Sequence, residues 1–305
     1  MPAGMTRSQF QRFLFPGIRK NMFDSYREKA EQYSQVFKVM GTDDEFVEDI
    51  QTAGLGLFQV TDEDAEIPSD RFFQGLSIRY DIVDYTIKVG FSHQSMRGLK
   101  VKIFNDRGRE IGFSARQTAE VLHAGMFDNG FTVNGYDGVP LFSAAHPLSA
   151  RAGGSNGQTQ SNVLATAATL SVASYRDMLT QSRLFFDPTG VRRIQLTMST
   201  LVVTPQNEFV AKEIVKSAGR PDTANRADNV TKDATGMLVW DYLQNAKYWY
   251  MVAEKSQHEL NSFWREKLNT GTWYEDDTQS NWVRGREAFT FGYSDYVGVL
   301  GTNPT

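Results

Sequence analysis

Apolar residues recur with helical spacing in two stretches of the chain, and the clearer stretch predicts the main helix over residues 103–131. The apolar stripe of this helix consists of Ile111, Ala115, Ala119, Leu122 and Met126. Arg116 and Glu120 fall outside the stripe, which places them on the polar side of the helix. Gly108 and Gly112 weaken its first turns because glycine is a poor helix former, so the secure part begins at about residue 111.

A second helix is predicted over residues 21–40, where the apolar spacing is less regular. Its apolar positions are Met22, Tyr26, Tyr33, Phe37 and Met40. Two interpretations are equally supported by the sequence. The segment is either a helix docked on its own domain or an arm that lies on a neighbouring subunit.

Helix ends carry their own signals. Gly130 lies where the capping glycine of the main helix is expected. Ser171 can cap a further helix through about residue 186, which the turn residues 187–190 then stop.

Residues 76–91 form a long run of β-branched and aromatic residues, which favours an extended strand. Apolar side chains occupy even positions up to Ile82 and odd positions from Val83 onward. Side chains alternate faces with a period of two, so this change predicts a bulge or sharp twist near residues 82–84. Together with residues 53–60 and the acidic turn region 61–70, the run predicts a long hairpin. A lone hairpin is marginal in water and must rest on a core or on another subunit.

The C-terminal part of the chain alternates between predicted strands and one short helix. Strands are predicted at 194–204, 237–243, 247–254 and 288–300, with the helix at 206–218. Residues 150–162 and 219–236 are polar and turn-prone, which is typical of loops. The pattern as a whole indicates an α+β (mixed α/β) fold.

The charge balance argues against a dedicated nucleic-acid reader. The chain has 32 basic and 36 acidic residues, for a net charge of -4, and no basic run stands out. It contains no cysteine, which excludes disulfides and thiolate metal sites. Neither a membrane-spanning apolar run nor a signal peptide is evident, so we expect a soluble protein with no membrane partner.

The four histidines, His93, His123, His146 and His258, form no close metal-binding pair. His146 precedes a proline that favours extended backbone, and its expected role is a hydrogen bond that fixes a turn. The carboxylate pairs at 81/84 and 276–277, like the acidic run 62–66, are expected at the surface. No nucleophile elbow, Walker loop or dinucleotide fingerprint is present. We therefore predict no catalytic, cofactor-binding or metal-binding residue, and a protein that is not an enzyme.

The stretch Asp137-Gly138-Val139-Pro140-Leu141-Phe142-Ser143-Ala144-Ala145-His146-Pro147-Leu148 resembles the major capsid proteins of tailed bacteriophages, and more narrowly the Mu-like head subunits. Residues 201–205 with the helix that follows, and the order of arm, hairpin, helix and mixed body, are similar to that family over nearly the whole chain. The resemblance implies the Hong Kong 97 capsid fold. Mapped onto this chain, it implies an N-terminal arm at 1–52, an extended loop hairpin at 53–98 and a peripheral domain with the spine helix at 99–190. An axial domain would follow at 191–285, and residues 286–305 would return to the peripheral domain.

The function implied by the resemblance is structural. Such a subunit self-assembles into hexamers and pentamers that form an icosahedral or prolate shell around double-stranded DNA, without sequence-specific binding. Implied partners are a scaffolding protein, a portal, a decoration protein and a maturation protease. The implied location is the virion capsid, assembled in the cytoplasm of the host bacterium.

Aromatic and charged residues of the arm and hairpin are the predicted contacts between subunits. They are Phe13, Phe15, Phe72, Phe73, Arg79, Tyr80 and Tyr85. Two other functions stay open at this point. One is an encapsulin-like compartment shell, which shares the fold but holds cargo enzymes. The other is a metal-dependent hydrolase that uses His146 with Asp137 and a third ligand.

Overall fold

The computed structural model describes residues 15–53, 57–62, 66–69, 73–92, 101–148, 159–187, 190, 192–219 and 228–304. The first half of the chain forms α1 (Phe15–Glu28), α2 (Tyr33–Val36), β1 (Lys38–Gly41), β2 (Phe46–Ala53), β3 (Phe73–Asp81), β4 (Val83–Ser92) and α3 (Val101–Asp128). The second half forms β5 (His146–Pro147), β6 (Thr159–Gln160), α4 (Val172–Arg183), β7 (Met198–Val203), α5 (Glu208–Lys216), β8 (Gly236–Val239), β9 (Trp249–Ala253), β10 (Leu260–Glu275), β11 (Ser280–Tyr293) and β12 (Val299–Thr302). Within these ranges no helix is long and apolar enough to cross a membrane.

The longest strands form a four-stranded sheet, sheet 1, in the order β1-β10-β11-β4. β10 and β11 are antiparallel neighbours, β4 is antiparallel to β11, and β1 is parallel to β10. The sequence pattern missed β10, which spans 16 residues. Its pairing shifts register twice between Trp264 and Asn269, so the alternation that identifies a strand is interrupted. A single strand over 288–300 was also a wrong prediction, because β11 ends at Tyr293 and β12 begins at Val299.

A second four-stranded sheet, sheet 2, has the order β12-β9-β7-β8. Here the predicted strands at 194–204, 237–243 and 247–254 are confirmed as β7, β8 and β9, with closer limits. The predicted helix at 206–218 is α5, which follows a short 3-10 turn at Pro205–Asn207.

One apolar core joins both sheets to α3. Phe127 of α3, Tyr250 of β9 and Phe289 of β11 all belong to it and are fully buried. The Phe127 ring packs edge-on against Tyr250 with ring centroids 5.1 Å apart. This core is large enough to order both sheets, and a second, smaller apolar cluster lies between α1, α3 and sheet 1.

The hairpin strands separate where the sequence predicted a break. β3 pairs antiparallel with β2, whereas β4 joins sheet 1, and Ile82 between them belongs to neither strand. The Ile82 amide donates a hydrogen bond to the Glu45 carbonyl oxygen at 3.1 Å. The change of parity thus marks the point at which the chain leaves one sheet for another, and that prediction is confirmed.

The segment from Phe15 to Gly41 is not the single helix predicted over 21–40. α1 ends at Glu28, α2 is one short turn, and Met40 lies in β1, where it pairs with Phe263 of β10. Tyr33 and Phe37 are buried in the same core, whereas the Met40 side chain is 38% exposed. Of the two interpretations of this segment, docking on its own domain is the one that residues 15–41 adopt.

Gly108 and Gly112 do not weaken α3, which begins at Val101, but let α1 approach it closely. A Cβ atom on Gly112 would lie 2.0 Å from the Met22 carbonyl oxygen, and one on Gly108 would lie 2.7 Å from the Ile18 side chain. The Ser25 hydroxyl also donates to the Arg109 carbonyl oxygen at 2.8 Å. The two glycines form a notch on α3 that seats the backbone of α1.

Gly130 also allows a close contact between two parts of the chain. Its backbone does not take the positive φ of a capping glycine, so that prediction is wrong. A Cβ atom there would lie 2.7 Å from the Phe142 ring. The predicted cap of the later helix is confirmed, because the Ser171 side chain accepts from the Ser174 amide at the start of α4.

Replacing Gly112 by alanine should lower the free energy of unfolding by about 1–3 kcal/mol, because the new methyl group cannot fit beneath the α1 backbone. The matched control is Gly125→Ala on the same helix, where an added Cβ meets nothing within 4 Å. That variant should be more stable than the parent by about 0.5–1 kcal/mol. Urea denaturation of both proteins measures the two free energies of unfolding. If the two variants change stability equally, Gly112 is not needed for the close packing of α1 on α3.

Candidate functional site

The segment that follows α3 is a structural joint built around His146. The side chain is fully buried, and its Nδ1 atom lies 2.6 Å from Asp137 Oδ2. Its Nε2 atom lies 3.1 Å from the Leu141 carbonyl oxygen. The ring also stacks on Tyr296, with centroids 3.9 Å apart. The predicted turn-fixing hydrogen bond is therefore confirmed.

Asn162 ties this segment to sheet 2. Its Nδ2 atom donates to the Leu141 carbonyl oxygen at 2.6 Å and to the Val299 carbonyl oxygen at 3.2 Å. Its Oδ1 atom accepts from the Ser143 amide at 2.8 Å. One buried amide thus joins the end of the α3 region to β12.

The hydrolase hypothesis finds little support in this geometry. His146 and Asp137 do meet, but neither is open to solvent. In the described ranges no group of three side chains could hold a metal ion. The pair is placed to stabilise a turn and has no access to a substrate.

A second polar cluster lies where the chain crosses from α1 to α2 over α3. Arg116 and Glu120, predicted on the polar side of α3, are in fact buried. Arg116 pairs with Glu31 at 2.8 Å, donates to the Tyr26 carbonyl oxygen at 3.0 Å and stacks on the Tyr26 ring. The polar face of α3 is therefore covered by the chain's own N-terminal segment.

Glu120 organises the start of α2. Its carboxylate accepts from the Gln32 amide at 2.7 Å, the Tyr33 amide at 3.1 Å and the Trp240 indole nitrogen at 3.1 Å. Free amides at a helix start need such an acceptor. Burial raises the pKa of Glu120, and the three hydrogen bonds oppose that rise.

Glu287 of β11 completes the cluster. It is 2% exposed, and burial raises the pKa of its carboxyl to about 7. The Tyr26 hydroxyl and Arg116 act in the opposite direction. The Tyr26 hydroxyl approaches Glu287 without reaching full hydrogen-bond geometry. No sequence signal identified Glu287, because its burial depends on α3 and α1 packing over the sheet.

The other described histidines are buried within the core. His123 contacts the Ala119 carbonyl oxygen at 2.6 Å and Ser262 Oγ at 2.9 Å, and burial lowers its pKa to about 4. His258 accepts from the Leu260 amide, and burial lowers its pKa to about 4 as well. Both rings are placed as neutral structural side chains. His93 lies outside the described residues.

The hairpin between β2 and β3 exposes large apolar side chains. Exposure reaches 66% for Leu57, 102% for Phe58, 95% for Val60 and 82% for Ile67. In the part of the chain that the structure describes, no other residue covers these four side chains well. Apolar exposure on this scale is typical of a surface that another molecule covers. The sequence prediction named other hairpin residues, although an apolar run beside an acidic turn was visible.

The structure describes five of the seven predicted contact residues, and these five lie in different surroundings. Phe13 and Phe72 lie outside the described residues, and Phe73 pairs with Ala53 at the end of the β2–β3 ladder. Phe15 packs partly against apolar residues of α1, α3 and sheet 1, and Arg79 is exposed over the Phe46 ring. Tyr80 is buried with its hydroxyl 2.7 Å from Ser294 Oγ, and Tyr85 is half-buried on Phe289. Their contact role stays a prediction.

The carboxylate pair at 81/84 lies at the surface, as expected. Asp81 pairs with Arg79 at 2.8 Å and Asp84 with Arg286 at 3.2 Å. These are exposed ion pairs of small energetic value.

Comparison with known proteins gives one family match and a shared fold. A family described as phage capsid protein matches residues 75–301. The procapsid of bacteriophage JBD30 is similar in structure, with a TM-score of 0.51 and 13% identity over 98% of this chain and 76% of that chain. A structure from Microbacterium phage Oxtober96 has a TM-score of 0.57 and 8% identity over 91% and 92% of the two chains. The capsid of Ralstonia phage GP4 has a TM-score of 0.55 and 15% identity over 88% and 87%. No curated protein sequence matches. The mixed α/β fold of the Hong Kong 97 type is confirmed.

Replacing His146 by alanine should lower the free energy of unfolding by about 3 kcal/mol, because the Asp137 carboxylate is left buried without its partner. The double variant with Asp137→Ala should lose less than the two single variants together. Urea denaturation of the four proteins measures this coupling. Strictly additive losses would contradict a direct pair.

Proposed function

The chain belongs to the phage capsid protein family and is a structural major capsid protein, and from that premise we propose that its copies assemble into a closed shell of hexamers and pentamers. The shell would enclose double-stranded DNA without reading its sequence. A net charge of -4 suits a wall that must not bind the packaged DNA tightly. Ring-shaped capsomers follow when one heterologous contact repeats until it closes.

The exposed apolar side chains of the β2–β3 hairpin are the observation that carries this proposal. Phe58 and Val60 are almost completely exposed in the single chain. Burying such side chains fully is worth about 1.5–3 kcal/mol each. A hairpin that reaches onto a neighbouring copy would bury them, and each subunit would contribute the same contact.

The outer edge of sheet 1 offers a second surface for a neighbour. β4 has β11 on one side only, and its Val83 and Ile87 side chains are 46% and 44% exposed. Tyr85 lies between them on the same face of the strand. An edge strand with apolar side chains is a natural site for contact with another chain. This supports Tyr85 among the predicted contact residues.

The finer assignments are part of the proposal. The stretch 137–148 suggests a Mu-like head subunit, and the division into arm (1–52), extended loop (53–98), peripheral (99–190), axial (191–285) and returning segments (286–305) follows the fold resemblance. The last boundary falls inside β11, so this division would split the β10–β11 ladder. The proposed partners are a scaffolding protein, a portal, a decoration protein and a maturation protease, and assembly would take place in the cytoplasm of the host.

The two other functions are less well supported. The family match does not favour an encapsulin-like compartment, and a cargo protein that copurifies in place of DNA would be needed to support one. Stoichiometric zinc or manganese in the purified protein would support the hydrolase.

A variant with a shortened hairpin tests the assembly proposal. Ala53 and Phe73 form the last pair of the β2–β3 ladder, so residues 54–72 can be replaced by the two-residue turn Asn-Gly. The variant should unfold at a temperature close to that of the parent but should form no closed shells in electron microscopy. The reason is that the apolar contact is removed while the core is left intact.

A full-length variant separates contact chemistry from loop length. Phe58→Ser combined with Val60→Thr should also prevent closed shells, whereas the control Val133→Thr, at a 61% exposed site after α3, should not. Normal shells from both hairpin variants would show that the hairpin is not an assembly contact. Monomers of the unaltered protein under all assembly conditions would overturn the shell itself.

A further inference from the structure

Glu287 is a buried carboxyl group without a firm partner, at the place where three parts of the fold meet. The end of α1 and the turn after it lie on one side, α3 lies on another, and sheet 1 carries Glu287 itself. Among the described residues, the Glu287 Oε1 atom has no hydrogen-bond partner. A buried carboxylate in such a position costs free energy unless a cation neutralises it.

The nearby cations are already engaged elsewhere. Arg116 is paired with Glu31 at 2.8 Å and bonded to the Tyr26 carbonyl oxygen. Lys267 lies 3.8 Å from the same Glu31 carboxylate, and its side chain is 58% exposed. One buried guanidinium therefore faces three carboxyl groups, those of Glu31, Glu120 and Glu287.

The other two carboxyl groups are better satisfied than Glu287. Glu120 accepts three hydrogen bonds from nitrogen donors, two of them from the backbone of the docked segment. Glu31 is partly exposed and lies beside both cations. Excess negative charge in the cluster is therefore relieved most readily by a proton on Glu287.

We propose that Glu287 holds a proton while residues 26–36 are docked on α3 and sheet 1, so that pH controls how firmly this N-terminal segment is held. The segment supplies Tyr26 and Glu31 to the cluster and covers Glu287 from the solvent. When the segment lifts away, Glu287 meets water and loses its proton. Protonation and docking thus favour each other.

The groups that face Glu287 come from every element around it. Tyr26 of α1, Glu31 of the following turn, Arg116 of α3 and Lys267 of β10 act on it directly, and Tyr85 of β4 is its cross-strand neighbour. Tyr33 of α2 and Glu120 of α3 interact with Arg116, so they belong to the same cluster. The tyrosines stay neutral because burial raises the pKa of Tyr26, Tyr33 and Tyr85. A groove of about 390 Å³ lies between α3 and β4 and is lined in part by Glu287.

The direction of the pH effect follows from the pKa of Glu287, which burial raises from 4.5 to about 7. At pH values below the pKa of the exposed carboxyl group, the proton gives the docked state its full stabilisation. This stabilisation is lost as the pH rises through about 7. Docking should therefore weaken between pH 5.5 and 8.5, roughly ten-fold or more in the opening equilibrium.

Hydrogen exchange of the Gln32 and Tyr33 amides tests this proposal, because these amides donate to Glu120 of α3 and lose that acceptor when the segment lifts away. After correction for intrinsic exchange, their protection in the unaltered protein should fall about ten-fold or more from pH 5.5 to 8.5. In Glu287→Gln, which imitates the protonated carboxyl, protection should stay high and almost constant. The matched control Glu110→Gln, at an exposed position of α3, should keep the full pH dependence.

Two results would overturn the proposal. One is protection that does not change with pH in the unaltered protein, and the other is an unchanged slope in Glu287→Gln. Tyr26→Phe provides an independent variant, because the Tyr26 hydroxyl lowers the pKa of Glu287. Its loss should move the fall in protection to higher pH, and a fall at the original pH would also count against the proposal.

Discussion

The close packing of α3 against α1 and sheet 1 is the constraint on which the rest of this structure depends. α1 lies on one side of the helix and sheet 1 on another, and glycine permits the approach in both places. Gly112 leaves room for the α1 backbone, and Gly285 of β11 leaves room for Ile111, since a Cβ there would lie 2.8 Å from its side chain. With both sides occupied, Arg116 and Glu120 of α3 cannot reach water. They must find partners inside the protein, which is why Arg116 and Glu120 bind the N-terminal segment.

The same helix also links the two sheets. Phe127 near its end packs on Tyr250 of sheet 2, and Phe142 of the following segment fits between Gly130 and Gly301 of β12. His146 and Asn162 then hold that segment in place with buried hydrogen bonds. A subunit built in this way transmits a displacement of α3 to both sheets, because close-packed contacts resist compression.

Features of the fold could be predicted when they depend on residues that are close together in the sequence. The main helix, the capped helix at Ser171 and the break at Ile82 follow from the spacing of nearby residues, and all three are present. β10 was missed because its register shifts interrupt the alternation. The burial of Arg116 and Glu287 was missed because it results from contacts between distant parts of the chain. The His146–Asp137 contact needed the fold as well, although a fixing hydrogen bond at this turn was expected.

The body of the subunit, which consists of the two sheets and their helices, and the β2–β3 hairpin differ in what they expose to water. In the body, even charged residues of α3 are covered by the chain, whereas the hairpin leaves Phe58 and Val60 in water. A solitary protein would gain nothing from that exposure and would risk aggregation. A subunit that always meets copies of itself gains a contact that forms only on assembly. In the proposed assembly, Phe58 and Val60 lie outside the core, so these positions can suit a neighbour without weakening the fold. The polar cluster around Glu287 lies in the body, so the proposed pH control of the N-terminal segment and the proposed assembly contact of the hairpin use separate sets of residues.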